Sequence, residues 1–293
     1  MTYLMYTRGV ITDEISQDID RVIAVMKRFN VVGAEIRTIG ETRVDRLTPR
    51  QVGEIKRRLD DEGMMVPALA TPFLKCDLGN GDEYREHLEI LRRSIEVAKA
   101  LDTTLLRVFT FWRKEPLEDW GPIVDAYTTP IELATRAGMT LGVENEPSCY
   151  VGTGAELGRF LDLTNSPAVR GIWDPGNAVA EPGFPDGYER VRGRCPHVHL
   201  KDQKILADGS AVSVAIGDGD VDLRGQLLAW RRDGYEGCVS LETHWRPQQL
   251  SSDVLNRPGG GHFSAFGEEA TTICFERWDE LEQDLDRGAA TGA

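Results

Sequence analysis

The sequence predicts a single (β/α)₈ barrel, the TIM-barrel fold class in which eight parallel strands, each followed by a helix, close into a ring. Short apolar runs alternate with helical patterns along the whole chain, as is typical of successive strand–helix units. Eight such units follow one another in 293 residues without a linker, which favours one closed domain over two. No GxGxxG motif follows an early strand, so an open doubly wound sheet is the second choice.

The eight strands are predicted from short apolar runs that are bounded by turn residues. In chain order they are Gly9–Ile15, Gly33–Ile36, Val66–Thr71, Leu105–Phe111, Thr140–Asn145, Val169–Asp174, His197–Lys201 and Gly237–Thr243. A Pro/Gly-rich stretch separates the sixth strand from the seventh, and a hairpin-like excursion follows the seventh.

The helices are predicted from apolar residues that recur three and four positions apart. Thr48 and Gln51 fit a capping box at the start of one helix, and Gly63 ends it. The other helical segments are Asp18–Phe29, Glu83–Leu101, a stretch ending near Gly138, Gly154–Leu163, Leu223–Arg232 and Phe266–Leu285. We expect residues 1–286 to form the barrel domain and residues 287–293 to form a frayed tail.

Charge and composition exclude several classes of protein. The formal net charge of −14 argues against a nucleic-acid surface, because phosphate binding depends on Lys and Arg. No run reaches the roughly 20 apolar residues that a membrane span needs, and the N-terminus lacks a long apolar signal segment. The five cysteines are scattered without a CxxC spacing, so we expect reduced thiols in a cytoplasmic protein. The oligomeric state stays open, a homo-oligomer included.

Ionisable residues alternate with apolar ones in the later strands. In the fifth strand, Leu141 and Val143 alternate with Glu144 and Glu146, and the seventh and eighth strands have the same pattern. Because successive side chains of a strand point to opposite faces, the apolar set packs against the helices and the ionisable set faces the barrel axis. The ionisable sets of the seventh and eighth strands include His197, His199, Lys201, Glu242 and His244.

Four of these inward positions predict a metal site. Unpaired carboxylates inside a barrel are costly, and a cation shared by Glu144, Asp174, His199 and Glu242 offsets that cost. All four lie near the C-terminal ends of their strands, where barrel enzymes have their active sites. A mixed oxygen and imidazole set suits one divalent ion, with Mn²⁺ favoured and Mg²⁺, Co²⁺ or Zn²⁺ as alternatives. The competing interpretation is a group of solvated strand ends or structural ion pairs.

Several motifs resemble the xylose-isomerase-like sugar isomerase/epimerase superfamily, which includes ketose 3-epimerases, hydroxypyruvate isomerase and inosose dehydratase. The motifs are ITDEIS, GAEIR, VENE, WDPGN, HVHLKD and LETHW, and they extend over nearly the whole chain. The resemblance implies that the metal ligands are Glu144, Asp174, His199 and Glu242. One departure is Asn177, at a position where many ketose epimerases have a substrate-binding histidine.

The resemblance also implies a reaction. A metal that binds both oxygens of an α-hydroxyketone acidifies the adjacent C–H, so a metal-held cis-enediolate forms and is reprotonated to an isomer or an epimer. Glu144 and Glu242 are the expected base and acid, although both are pure ligands in an alternative reading. A keto-sugar or related polyol without phosphate is the expected substrate.

Three other functions compete with this one. A lyase on the same barrel, similar to inosose dehydratase or to enzymes that eliminate from 3-keto-sugars, is the second hypothesis. An endonuclease IV-like repair enzyme is remote, because that group uses a histidine-rich three-zinc cluster and a basic groove. A sugar-binding barrel without turnover is the fourth.

Seven further residues are candidates for substrate binding, and six of them have a structural alternative. His197 competes with a satisfied core histidine, Lys201 and Arg37 with ion pairs, and Glu146 with a solvated rim residue. The aromatic candidates compete with ordinary packing. The seven are Arg37, Trp112, Glu146, Asn177, His197, Lys201 and Trp245. Of the remaining histidines, His87 is expected to be solvated, His244 structural, and His262 a loop residue.

Overall fold

The protein is described from a computed structural model that covers residues 6–180, 186–248 and 264–291. His262 and its glycine-rich loop lie outside these residues. The described strands are β1 (Thr7–Ile11), β2 (Gly33–Glu35), β3 (Thr38–Ile39), β4 (Thr42–Arg43), β5 (Leu69–Ala70), β6 (Leu105–Val108), β7 (Thr140–Glu144), β8 (Val169–Trp173), β9 (His197–Leu200), β10 (Asp202–Ile205), β11 (Ala211–Val214) and β12 (Cys238–Leu241).

Eight of these strands form the barrel. They are all parallel and lie in the order β2-β1-β12-β9-β8-β7-β6-β5. Isolated parallel bridges join Gly33 to Met65 and Ile36 to Leu69, and these bridges bring the two ends of the sheet together. The predicted (β/α)₈ barrel is therefore confirmed.

Nine helices are described, and they surround the sheet. They are α1 (Ile19–Arg28), α2 (Pro49–Asp60), α3 (Gly81–Ala100), α4 (Gly121–Ala126), α5 (Thr128–Ala137), α6 (Gly154–Thr164), α7 (Asp186–Val191), α8 (Leu223–Arg232) and α9 (Gly267–Thr291). The capping box of α2 forms as predicted, with Thr48 and Gln51 bonding reciprocally. The last helix extends beyond Leu285, where the apolar pattern predicted its end.

Several elements differ from the sequence prediction. The paired part of β1 ends at Ile11, because Thr12–Glu14 leave the ladder as a 3₁₀ turn. The short hairpin of β3 and β4 and the helix α7 were not predicted, whereas β10 and β11 form the expected hairpin excursion. The two hairpins directly follow barrel strands: β3 and β4 come after β2, and β10 and β11 come after β9.

Apolar side chains fill both faces of the barrel wall, but in different amounts. The main core lies between strands and helices and includes Leu141, Val143, Val198 and Leu241. A separate small cluster of Ala68, Leu105 and Ile172 lies on the inward parity. Polar residues occupy the inward positions beyond this cluster, so the barrel interior changes from apolar to charged toward the C-terminal ends of the strands.

All five cysteines are buried and free. No helix of the described ranges combines the length and the apolar character that crossing a bilayer requires.

Candidate metal centre

The four side chains predicted as metal ligands come together in the structure. Glu144 ends β7, Asp174 follows β8, His199 lies in β9 and Glu242 follows β12. These four strands are consecutive neighbours in the barrel. Each of these residues is at most 2% exposed, and one ligand atom from each lies within 4.8 Å of the others.

Three ionic contacts organise this cluster. His199 Nδ1 lies 3.0 Å from Glu144 Oε1. The ammonium of Lys201 lies 2.8 Å from Asp174 Oδ2 and 2.9 Å from Glu242 Oε2. The lysine contact to Asp174 is ionic only, because Asp174 Oδ2 has no hydrogen bond of acceptable geometry among the described residues. One buried carboxylate oxygen is thus incompletely satisfied.

Burial and neighbouring charges act in opposite directions on the pKa values of the cluster. Burial raises the pKa of Asp174 to about 6, and the nearby Glu144 and Glu242 reinforce the rise against the lowering effect of Lys201. Burial also favours the neutral form of Glu144, but His199 and Arg107 outweigh it and lower its pKa. The pKa of His199 is raised well above its ordinary value, because Glu35 and Glu144 outweigh burial.

The residues fit a divalent cation. Three carboxylates and one imidazole form a hard, mixed donor set, and they are buried where mutual repulsion is strong. The incompletely satisfied oxygen of Asp174 has the character of a ligand atom. Lys201 already neutralises part of the negative charge, so a cation would share Asp174 and Glu242 with an ammonium group.

Two predicted substrate-binding residues lie directly at this cluster. Asn177 donates from Nδ2 to Glu144 Oε1 at 3.3 Å and to the Asn145 carbonyl at 2.8 Å. Its backbone N–H donates to Asp174 Oδ1 at 3.0 Å. Lys201 makes the two contacts described above. Both residues therefore contact proposed ligands.

Arg37 joins the cluster to a second charged group at the β1 end. Its guanidinium pairs with Asp13 at 3.1 Å, with Glu14 at 2.6 Å and with Glu242 Oε1 at 3.3 Å. His244 Nε2 lies 3.2 Å from the same Glu242 oxygen. Arg37 thus makes the ion pairs that were the alternative to its role in substrate binding. His244 is a direct neighbour of a proposed ligand.

Three predicted residues lie at the mouth of the barrel. Glu146 is half-buried, and its Oε2 lies 2.8 Å from Lys75 Nζ. The Lys75 ammonium lies 4.3 Å from the Phe109 ring centroid and 5.6 Å from that of Trp112. Trp245 is half-buried and packs against the main core. Glu146 is therefore ion-paired rather than purely solvated.

Sequence reasoning missed two buried residues of the site. Arg107 of β6 directs Nη1 to Glu144 Oε2 at 3.4 Å and to Glu242 Oε1 at 3.5 Å. Glu35 of β2 contacts both histidines of β9. Each is a charged residue inside a short apolar run, LLRVF and GAEI, and that interruption at an inward position was the available signal.

A closed (β/α)₈ barrel with acidic and imidazole side chains at the C-terminal ends of its strands defines the class: a barrel protein with a candidate metal centre. Residues 23–260 match the family described as xylose isomerase-like TIM barrel. The chain belongs to that family.

Relatives and solved structures agree with this assignment. The inosose dehydratase of Erwinia tasmaniensis is 27% identical over 152 residues, which cover 46% of this chain and 51% of that protein. The chain spans about half the length of the curated inosose dehydratases that it matches.

Two solved structures have the same fold. A crystal structure of the IolI protein with a bound zinc atom has a TM-score of 0.75 at 16% identity, covering 94% of this chain and 97% of that one. A Methylomonas sp. D-allulose 3-epimerase in complex with D-allulose has a TM-score of 0.68 at 18% identity, covering 93% of this chain and 97% of that one. At these identities the likeness concerns the fold.

Proposed function

We propose that the chain is a divalent-metal-dependent enzyme that isomerises or epimerises a keto-sugar or related polyol by moving the proton next to its carbonyl. The observation that carries the proposal is the convergence of Glu144 and Glu242 on one buried cluster with Asp174 and His199. The zinc in the IolI structure and the keto-sugar in the epimerase structure support a metal and a sugar in this fold. Mn²⁺ is the favoured ion, with Mg²⁺, Co²⁺ and Zn²⁺ as alternatives.

A bound divalent ion supplies Lewis acidity, which polarises a carbonyl and acidifies the neighbouring C–H. Glu144 and Glu242 are both held in the ionised form, since neighbouring cations outweigh burial and lower their pKa values. Two strands separate β7 from β12 in the barrel, so the two carboxylates approach a substrate from different sides. Either ionised glutamate takes the proton and, once protonated, returns it to the adjacent carbon, which gives an isomer. Return to the opposite face of the same carbon takes a proton from the other glutamate, which must first acquire one from solvent.

The other predicted residues hold the substrate. Lys201 and Asn177 already donate to the carboxylates and are placed to donate to substrate oxygens beside them. Glu146 and Trp112 lie at the mouth of the barrel with Lys75, and there they meet sugar hydroxyls and a sugar face. Arg37 and Trp245 complete the wall on the β12 side, and His197 lies beneath His199. We place the reaction in the cytoplasm, which the five buried free cysteines support.

Dehydration is the second candidate function. The inosose dehydratase relatives favour it, and so does the buried ammonium of Lys201, 2.9 Å from Glu242, which can protonate a leaving hydroxyl. This reaction begins with the same proton abstraction and then expels a hydroxyl from the adjacent carbon. The two candidates therefore share the base and differ in the product.

Exchange in D₂O separates these functions. Metal-loaded protein is incubated with D-allulose, D-fructose and an inosose, and products are followed by NMR and mass spectrometry. Deuterium uptake without other mass change supports isomerisation, whereas loss of water supports the second candidate. Glu144→Gln and Glu242→Gln are expected to lower exchange by about 10²–10⁴-fold. Asp45→Asn, which neutralises a buried acid paired with Arg43, is the control. Failure of the metal-loaded protein to exchange any α-proton contradicts the proposal.

A further inference from the structure

Glu35 makes a contact across the barrel interior that the proposed reaction does not use. Its Oε1 lies 3.2 Å from His199 Nε2, and its Oε2 lies 2.9 Å from His197 Nε2. All three residues are fully buried. Strands β1 and β12 separate β2 from β9 in the ring, so this carboxylate spans the interior rather than pairing with an adjacent strand.

The chemistry of the contact determines the proton positions. An ionised carboxylate only accepts hydrogen bonds, so both Nε2 atoms must donate to Glu35. The other ring nitrogen of His199, Nδ1, lies 3.0 Å from Glu144 Oε1 and faces the cluster. In the neutral ring with its proton on Nε2, Nδ1 carries the lone pair that a metal needs.

The second histidine stiffens this arrangement. The His197 and His199 rings lie edge to face, with centroids 5.3 Å apart. His197 Nδ1 has no hydrogen-bond partner within the described part of the chain, so the contact with Glu35 is the hydrogen bond that its ring makes there. In return, His197 fixes one oxygen of Glu35, and the other oxygen is directed at His199.

We propose that Glu35 is a positioning residue for the metal centre, which holds His199 in the tautomer and orientation that present Nδ1 to the ion. Carboxylates that accept from the outer nitrogen of a metal-binding histidine raise its basicity and fix its ring. The inference rests on the metal centre of the proposed function. Glu35, His197 and His199 also satisfy the distances of a separate metal group. In this inference Glu35 and His197 hold no ion of their own and instead support His199 as a ligand of the single ion.

Calorimetric titration of the metal-free full chain with Mn²⁺ tests this inference. The natural protein is expected to bind one ion, and Glu35→Gln is expected to bind it about 10–100-fold more weakly. A glutamine amide has a single acceptor oxygen, so one of the two histidines loses its acceptor. Asp45→Asn, another buried acid made neutral, is expected to keep the natural affinity.

Each other outcome has a defined meaning. Equal affinity of Glu35→Gln and the natural protein overturns the positioning role and leaves the proposed function standing. Two ions per chain overturn it as well, because Glu35 is then a ligand. No binding by the natural protein removes the proposed function together with this inference.

A measurement on the natural protein covers the case in which Glu35→Gln does not fold. In the Zn²⁺-loaded chain labelled with ¹⁵N-histidine, two-bond ¹H–¹⁵N correlations report which nitrogen of His199 is protonated. The expected result is a proton on Nε2 and the metal on Nδ1. The reverse tautomer overturns the proposal.

Discussion

Replacement of Lys201 by methionine tests how the barrel balances its buried charge. The Lys201 ammonium lies between Asp174 Oδ2 and Glu242 Oε2, and the three side chains are at most 3% exposed. Methionine fills a similar volume without a charge. The substitution therefore leaves two buried carboxylates without the cation that lies nearest to both.

The expected cost follows from this burial. Removal of one partner from a buried ion pair costs about 3–5 kcal/mol, because the remaining charge stays in the interior. One kcal/mol shifts the Tm of a chain of this size by about 2–4 °C, so the metal-free variant should unfold about 6–20 °C below the natural protein. Burial raises the pKa of Asp174 to about 6, so this carboxyl is the one of the group that is protonated most readily.

A divalent ion should reverse much of the loss. In the proposed site an ion would share Asp174 and Glu242 with Lys201, so the variant should gain more from metal than the natural protein does. Thermal unfolding with and without saturating Mn²⁺ measures both effects, since a ligand at 100 times its Kd contributes about 2.7 kcal/mol. We expect the metal-induced rise in Tm to be larger for Lys201→Met.

Lys56 provides a matched control. It also pairs with two carboxylates, Asp60 at 2.9 Å and Asp102 at 2.8 Å, but on the surface. Lys56→Met should lower the Tm much less than Lys201→Met does, because solvent screens a surface ion pair. The reasoning is refuted if Lys201→Met unfolds at the same temperature as Lys56→Met, or if Mn²⁺ stabilises the natural protein and Lys201→Met equally.

Two further predictions concern backbone packing at Gly154 and the pH dependence of stability through Glu146. A Cβ on Gly154 would lie 2.3 Å from the Gly187 carbonyl oxygen, so Gly154→Ala should cost about 1–3 kcal/mol in urea unfolding. Gly53→Ala, in open space within α2, should instead stabilise by about 0.5–1 kcal/mol, and equal effects would contradict the packing. Burial raises the pKa of Glu146, but Lys75 outweighs it and lowers the pKa from 4.5 to about 2, so the ionised form stabilises the fold by about 3 kcal/mol above pH 4.5. This contribution is lost as the pH falls from 4.5 to about 2. The difference in unfolding free energy between the natural protein and Glu146→Gln should therefore shrink between pH 7 and pH 3. A constant difference would contradict the ion pair.

The proposed ligand set could be predicted because it depends on local periodicity. The two-residue repeat of a strand indicates which residues face the barrel axis, and the predicted strand ends indicate how far along the axis they lie. Glu144 and His199 were identified in this way without any knowledge of their contacts. The capping box of α2 is equally local, since Thr48 and Gln51 are three residues apart.

Contacts across the ring could not be predicted in the same way. Glu35 and Arg107 meet their partners only after the barrel closes, so no sequence spacing reports those distances. His87 was expected to be solvated, and this prediction is wrong. It is half-buried and its Nδ1 accepts a hydrogen bond from the Leu74 N–H at 2.8 Å, a contact that depends on how the loop after β5 folds against α3.

Anomalous diffraction from crystals grown with Mn²⁺ tests the central claim most directly. We expect one strong manganese peak among Glu144, Asp174, His199 and Glu242, within about 2.0–2.6 Å of an atom from each. The peak should disappear in crystals of Asp174→Asn combined with Glu242→Gln. A manganese peak elsewhere, or none among these side chains at saturating Mn²⁺, contradicts the account.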